Sequence, residues 1–302
     1  VRGQLPGLRQ ALYEILFPAW PVGVRGKTRW LNLLTAVLDI EPYGFLKFRQ
    51  VGRYRLRLDP GDRNDRHYYF GMVGHAYGRL LHALLKAGDT VVDVGANVGN
   101  FSAISAEVVG EKGRVCAIEP NPGLYERLST MIAEAPNGPI KVHHAAVWSS
   151  CGSMEFHIAT ETGWSSLREN PTFEKDRSVN VDTITLDNFV SKENLSRVVL
   201  LKLDIEGAET DALLGAKESM EKGVFDHILL EAEPQRLAAF GRSGQEIATL
   251  MKQFGFEPVA IIREDQLQAV SERDKIPGAF NGDYLYCRRP LVGTTLQALF
   301  RG

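Results

Sequence analysis

Val91-Val92-Asp93-Val94-Gly95-Ala96-Asn97-Val98-Gly99-Asn100-Phe101 is the stretch whose reading decides the fold. Two β-branched residues open an apolar run that suits a buried parallel strand. Gly95 and Gly99 then remove side chains where the backbone turns sharply. The turn empties into a helix whose first N–H groups have no partner within the helix. A strand, a glycine turn and a helix in that order place a nucleotide-like ligand at the carboxyl edge of the strand.

The next strand reads Arg114-Val115-Cys116-Ala117-Ile118-Glu119-Pro120-Asn121. Glu119 stands at its carboxyl end, at the spacing where an acidic residue accepts two hydrogen bonds from a ribose diol. Pro120 and Pro122 stop the strand and prepare the following helix. The alternative, a solvated glutamate at a strand end, loses weight beside the glycine turn. A dinucleotide site wants Gly-x-Gly-x-x-Gly, so that backbone can touch a pyrophosphate. The chain has Asn97 where the second glycine would stand. S-adenosyl-L-methionine carries no phosphate and asks for side-chain polarity instead, so it is preferred to NAD. The candidate cofactor contacts are Asp93, Gly95, Ala96, Asn97, Gly99, Asn100 and Phe101 from the first turn. Glu119, Pro120 and Asn121 follow from the second strand, with Ala145 beside an adenine ring and Asp204 from a later strand.

That later strand, Val198-Val199-Leu200-Leu201-Lys202-Leu203-Asp204, is apolar and ends in charge, continuing Ile205-Glu206-Gly207-Ala208-Glu209. Lys202, Asp204 and Glu206 alternate and share one face if strand geometry persists. Such a trio is costly unless it is paired or used. A structural ion cluster with helix N-terminal acids is the competing interpretation. Lys202, Asp204 and Glu206 are the candidate catalytic residues.

Val92–Phe101, Ile118–Asn121 and Lys202–Glu209 together resemble the FkbM family of S-adenosylmethionine-dependent methyltransferases. Val181–Asp187, Trp164-Ser165-Ser166-Leu167 and Asp283-Tyr284-Leu285-Tyr286 are similar to smaller family segments, although an asparagine–phenylalanine pair is commoner in the last. The resemblance runs from Asp59 to Arg289, with Lys-x-Asp-x-Glu-Gly as its most specific part. It implies an α/β, Rossmann-like class I fold and O-methylation of a hydroxyl on a sugar, glycan or natural product.

Outside those motifs the chain alternates strand and helix from Thr90, the pattern of a parallel α/β sheet. Helices are expected at Ala76–Ala87, Gly99–Val109, Gly123–Glu134, Ala208–Glu221 and Gly244–Phe254. The strands Thr90–Val94, Arg114–Ile118, Lys141–Ala146, Val198–Asp204, Asp226–Ala232, Pro258–Ile262 and Tyr284–Arg288 make a mostly parallel seven-stranded sheet with an antiparallel C-terminal strand. Ser153–Ala159 and Val179–Leu186 interrupt the alternation and frame a polar stretch at 160–178. That stretch is expected to be a lid or a pocket wall, or else a plain surface excursion. Residues 1–58 form an N-terminal extension with helical spacing at Leu5–Trp20 and Leu31–Leu38, and a strand or hairpin within Gly44–Asp59. Residues 59–302 form the methyltransferase domain. The extension's helices pack on the core or on a second subunit, or make a peripheral membrane contact.

Composition fits an ordinary soluble enzyme. The chain has 302 residues, 44% hydrophobic and 24% charged, with net charge −2. That balance carries no basic footprint for nucleic acid. Arg49, Arg53, Arg55 and Arg57 are expected to form the solvated face of a strand. Three cysteines without metal or disulfide spacing, no membrane-length apolar run and no signal-peptide pattern point to the cytoplasm. His143 and His144 face opposite sides of a strand, one of them toward the adenine, while His67 and His75 flank an aromatic cluster before the core domain. The proposed chemistry is direct methyl transfer to oxygen, with Asp204 or Glu206 removing the hydroxyl proton and alignment dominating the rate. An alternative gives Asp204, Glu206 and Glu231 to a hard divalent cation. Two other function classes remain open: a non-catalytic cofactor-binding partner protein, and an NAD-dependent dehydrogenase. The acceptor and the oligomeric state are not legible.

Overall fold

In a computed structural model of the chain, strands β3 (Thr90–Val94), β4 (Arg114–Ile118) and β5 (Ile140–His143) lie side by side and parallel. The structure describes residues 46–59, 61–71, 73–159, 162–168, 175–271, 274–275, 282–289, 291 and 299–300. The helices expected at Leu5–Trp20 and Leu31–Leu38 and parts of the 160–178 stretch fall outside those residues.

On the other side of β3 stand β9 (Val198–Leu203) and β10 (Phe225–Ala232), also parallel. Next come β13 (Gly282–Cys287), antiparallel to both its neighbours, and β11 (Glu257–Arg263). All seven expected strands are present. An eighth, β12 (Gln266–Ala269), pairs antiparallel with β11 and extends the edge, giving the order β12-β11-β13-β10-β9-β3-β4-β5. The β11–β12 connection is a two-residue turn in which Glu264 (φ 48°) and Asp265 (φ 58°) both take positive φ. Hairpin turns of that kind usually carry glycine. The strand was not foreseen because its turn lacks that residue.

The near-continuous apolar strands follow from burial on both faces. Val92, Cys116, Ile118, Ile228, Tyr284 and Tyr286 enter one core cluster, whereas Val91, Val115, Ala117, Leu229, Leu285 and Cys287 enter the other. Over the second face pack α2 (His75–Leu84), α3 (Asn100–Val109) and α4 (Pro122–Ala133), through Leu80, Leu81, Ala103, Ala106, Leu124 and Leu128. The first face is covered by α5 (Leu186–Lys192), α6 (Glu209–Leu214), α7 (Lys217–Glu221) and α9 (Gly244–Gln253), while α8 (Pro234–Ala239) brings Leu237 to the same cluster. The single helix expected over Ala208–Glu221 is two. Asp187 explains the break: its carboxylate accepts from Ser219 N–H at 2.7 Å and Glu218 N–H at 3.1 Å, which starts a new helix at α7.

The hairpin of β1 (Lys47–Val51) and β2 (Tyr54–Leu58) lays Tyr54, Leu56 and Leu58, all fully buried, into the second cluster. The expectation of one solvated arginine face is corrected at Arg49. Its guanidinium turns inward to the carbonyl of Tyr68 at the end of α1 (Arg63–Tyr69). Arg53 and Arg57 pair with Glu111 and Glu134, and Arg55 covers the Phe48 ring. The strand expected over Lys141–Ala146 also divides. The chain leaves the large sheet after His143, and β6 (Ala146–Val147) joins a three-stranded sheet with β7 (Gly152–Ala159) and β8 (Lys175–Ile184). No helix among the described residues is long and apolar enough to cross a membrane.

Candidate active site

Strand order reverses at β3, which has β4 on one side and β9 on the other. The crevice at such a reversal is where α/β sheets bind ligands. Both Gly95 N–H and Ala96 N–H donate to the Ile118 carbonyl, at 3.0 and 3.1 Å, and Asp204 N–H donates to the Val94 carbonyl at 3.2 Å. The turn after β3 is thereby pinned between its two neighbours. Gly95 has φ +77°, and a Cβ there would lie 1.9 Å from the Asp204 carbonyl oxygen. Only glycine lets the two strand ends approach so closely.

A cavity of about 270 Å³ opens above this junction. Gly95, Ala96, Asn97, Asn100, Phe101, Glu119, Pro120, Ala145 and Asp204 line it among the sequence-derived cofactor residues. Three others stand behind the wall. Asp93 is fully buried and accepts from the Ser102 hydroxyl at 2.6 Å. Gly99 is the N-cap of α3. Asn121 caps α4, its side chain accepting from Gly123 and Leu124 N–H. Their positions are those of residues that shape the loops.

Glu119 is 4% exposed and accepts from Asn97 N–H and Asn121 N–H, each at 2.8 Å. Burial pushes its carboxyl up to about 7, and the two N–H bonds pull in the opposite direction. Each carboxylate oxygen keeps a further lone pair for a ligand. Leu124, Ala145, Ala146, Val147 and Phe156 give the same cavity an apolar side. The Asn100 side-chain oxygen is buried without a protein partner on the cavity wall, a polar atom that a ligand donor would satisfy.

The far side of the cavity is ionic. Lys202 Nζ lies 3.4 Å from Asp93 Oδ1, 3.1 Å from Asp204 Oδ2 and 5.5 Å from the Phe101 ring centroid. Burial opposes its charge, but Asp204 and Asp93 outweigh burial and hold the ammonium above its ordinary pKa. Glu206 does not continue the strand. It takes a left-handed conformation (φ 60°), and Gly207 follows at φ +106°, where a Cβ would meet the Arg236 carbonyl oxygen at 2.5 Å. The 205–207 loop is held by Glu209, whose Oε1 accepts from Ile205 N–H at 3.0 Å and Gly207 N–H at 3.3 Å. This bend aims Glu206 at Arg236.

Arg236 and Glu231 complete the cluster. Arg236 Nη1 lies 2.6 Å from both Glu206 Oε2 and Glu231 Oε2, and its Nε pairs with Glu233. Burial, and then the surrounding acids, push the carboxyls of Glu206 and Glu231 well above their ordinary range. Oxygens of Asp204, Glu206 and Glu231 lie within 4.8 Å of one another, a donor set that suits a hard cation. The Arg236 guanidinium already bridges two of the three, so charge neutralisation comes from the chain itself.

Trp164, Ser165 and Leu167 form part of the cavity wall, with Ser166 paired to His157 behind them. No histidine lines the cavity among the described residues. His143 packs edge-on against Phe189, and His144 stacks on Tyr125 with Nε2 3.0 Å from the Pro120 carbonyl oxygen, so neither ring lines the cavity. His75 contacts the Gly71 carbonyl, and burial pushes His67 down to about 4. Sequence reading missed Tyr77 and Arg236. Tyr77 donates to Asp283 on β13 and packs edge-on against Phe101. The signal for Arg236 was Pro234, which opens a helix directly after the acidic strand end of β10.

Comparison with known proteins gives a consistent picture. Residues 93–258 match the model of the methyltransferase FkbM domain. The hexuronic acid methyltransferase AglP of Haloferax volcanii is 28% identical over 47% of this chain and 56% of its own length. The 2-O-methyltransferase NoeI of Sinorhizobium fredii is 25% identical over 49% of this chain and 65% of its own length. The matched segment therefore spans between half and two thirds of each relative. The crystal structure of the methyltransferase FkbM from Methylobacillus flagellatus aligns with TM-score 0.42 and 16% identity, covering 93% of this chain and 59% of that one.

Proposed function

Because the chain belongs to the FkbM methyltransferase family, we propose that it methylates a sugar or glycan hydroxyl, with S-adenosyl-L-methionine as donor. One observation carries this reading: a single cavity joins the buried carboxylate of Glu119 to the ionic cluster of Lys202, Asp204, Glu206, Glu231 and Arg236. The names of AglP and NoeI, a hexuronic acid methyltransferase and a 2-O-methyltransferase, support an oxygen acceptor on a saccharide.

When bound, S-adenosyl-L-methionine supplies an electrophilic methyl carbon on a sulfonium. Glu119 would hold the ribose diol and the apolar side at Ala145, Ala146 and Phe156 would receive the adenine, all four residues lining this cavity. Asn97 and Asn100 face the polar remainder. The methyl carbon would be passed to the acceptor oxygen, the sulfonium leaving as a neutral thioether, and Asp204 would take up the hydroxyl proton. Asp204 is the proton acceptor because its side chain, 33% exposed, stays open to the cavity while Lys202 Nζ fixes Oδ2 at 3.1 Å. Arg236 bridges Glu206 and Glu231 and orients both. Alignment in such a transfer contributes about 7–11 kcal/mol, against about 10²–10⁴-fold for a positioned base.

Labelled methyl transfer from the donor into saccharide acceptors, with mass analysis of the product, tests the assignment. Asp204→Asn is expected to keep S-adenosylhomocysteine binding and lose at least about 100-fold in turnover. Wild-type turnover in that variant would remove Asp204 from the reaction.

A further inference from the structure

We propose that the acceptor sits in a second cavity opening off the donor cavity, and that this cavity selects an uncharged polyhydroxylated unit over a uronate or a sugar phosphate. The proposal rests on reading the first cavity as the donor site. The second cavity, about 660 Å³, lies between the start of α2, the end of β10, the β11–β12 turn and the start of β13. It shares Val73, Tyr77 and Glu231 with the first. A molecule held there reaches the methyl-transfer region past the Tyr77 ring and the Glu231 carboxylate.

The chemistry of its walls sets the selection. Among the described residues four carboxylates line it, on Glu231, Glu264, Asp265 and Asp283, against one guanidinium, Arg263. Arg263 is ion-paired to Asp274 at 2.5 Å. Ionised carboxylates only accept hydrogen bonds, and sugar hydroxyls donate them. The side-chain amides of Gln266 and Gln268 supply donors for ring and linkage oxygens.

The one feature that normally receives an anion is already filled from within. The α2 N-terminus has no capping side chain of its own. Asp265 reaches across from the β11–β12 turn and accepts from Gly74 N–H at 3.1 Å, His75 N–H at 3.2 Å and Ala76 N–H at 2.9 Å. A helix start is a ready anion site; here the protein's own carboxylate occupies it. Arg236, on the wall of the first cavity, is committed to Glu206 and Glu231. A uronate or phosphate in the cavity would meet an excess of acids over cations among the described lining residues.

The test uses the full chain loaded with S-adenosylhomocysteine and three probes: methyl β-glucoside, methyl β-glucuronide and glucose 6-phosphate. Binding is read by saturation-transfer NMR and calorimetry. The glucoside is expected to bind at least tenfold more tightly than either anion. The exposed rim changes Glu264→Lys and Gln268→Lys together are expected to raise glucuronide affinity at least fivefold while leaving S-adenosylhomocysteine affinity unchanged. Equal or tighter glucuronide binding, no glucoside binding, or an unmoved preference in the double variant would each overturn the proposal. S-adenosylhomocysteine binding, measured in the same preparations, separates the two failures. Its absence from the wild type overturns the donor reading, and its presence with the wrong sugar preference overturns only the acceptor cavity.

Discussion

Replacing Glu119 by Gln should weaken cofactor binding and abolish its dependence on pH. The carboxyl sits near pKa 7 because burial opposes its charge, while Asn97 and Asn121 N–H groups partly restore it. Only the ionised form accepts from both hydroxyls of a diol. With a pKa of about 7, roughly one molecule in eleven is competent at pH 6 and roughly ten in eleven at pH 8, so apparent affinity for S-adenosylhomocysteine rises about tenfold between them. The amide removes that titration. It also turns an NH₂ toward one of the two backbone donors that now lie 2.8 Å from carboxylate oxygens. A hydrogen bond to a charged group contributes about 1.5–3 kcal/mol, so losing one such bond to the ligand weakens binding about 10- to 150-fold. The unliganded fold has the opposite pH dependence. A carboxyl whose pKa rises from 4.5 to about 7 on folding contributes stability that is full below pH 4.5. That stability is lost as pH climbs through 7. Calorimetric titration of both proteins at pH 6, 7 and 8 decides the matter. A wild-type affinity that is flat across that range, or a variant within threefold of wild type at pH 8, would refute the role given to Glu119.

Further outcomes follow from the same geometry. Lys202→Met strips the partner from fully buried Asp93, and urea unfolding should show a loss of about 3–5 kcal/mol; a loss below about 1 kcal/mol would mean that the ion pair contributes little to the fold. Asp265→Ala uncaps α2 and should cost about 1–2 kcal/mol. Faster hydrogen exchange at Gly74, His75 and Ala76 is the accompanying signature, with S-adenosylhomocysteine affinity unchanged. Gly207→Ala forces a methyl against the Arg236 carbonyl, so turnover should fall at least about tenfold while the melting temperature drops by several degrees. Unchanged turnover would show that the Glu206 bend is dispensable.

The sheet was legible wherever local pattern and tertiary environment agree. Thr90–Val94 and Arg114–Ile118 match their expected bounds because both strands are apolar on two faces and end at a glycine turn or a proline. Lys141–Ala146 did not, because the chain leaves the sheet at His144 to pair Ala146 with Thr183, a partner that no local period announces. Lys202, Asp204 and Glu206 do meet in one cavity, yet the reason is not the strand alternation first invoked. The strand stops at Leu203, and a left-handed residue carries Glu206 to Arg236. Arg236, Tyr77 and Asp283 were invisible as a set because each acquires its role from a partner distant in the fold. For Tyr77 and Asp283 the separation is 206 residues.

The long reach of Asp265 sets an order of assembly. Ala76 and Asp265 are 189 residues apart. At about 5–20 residues per second of synthesis, the start of α2 leaves the ribosome roughly 10–40 s before its cap exists. Strands β3 and β4 can already be paired in that interval, whereas the wall formed by the β11–β12 turn and β13 is still unmade. A nascent chain can thus form the cradle around Glu119 before the second cavity has its far wall.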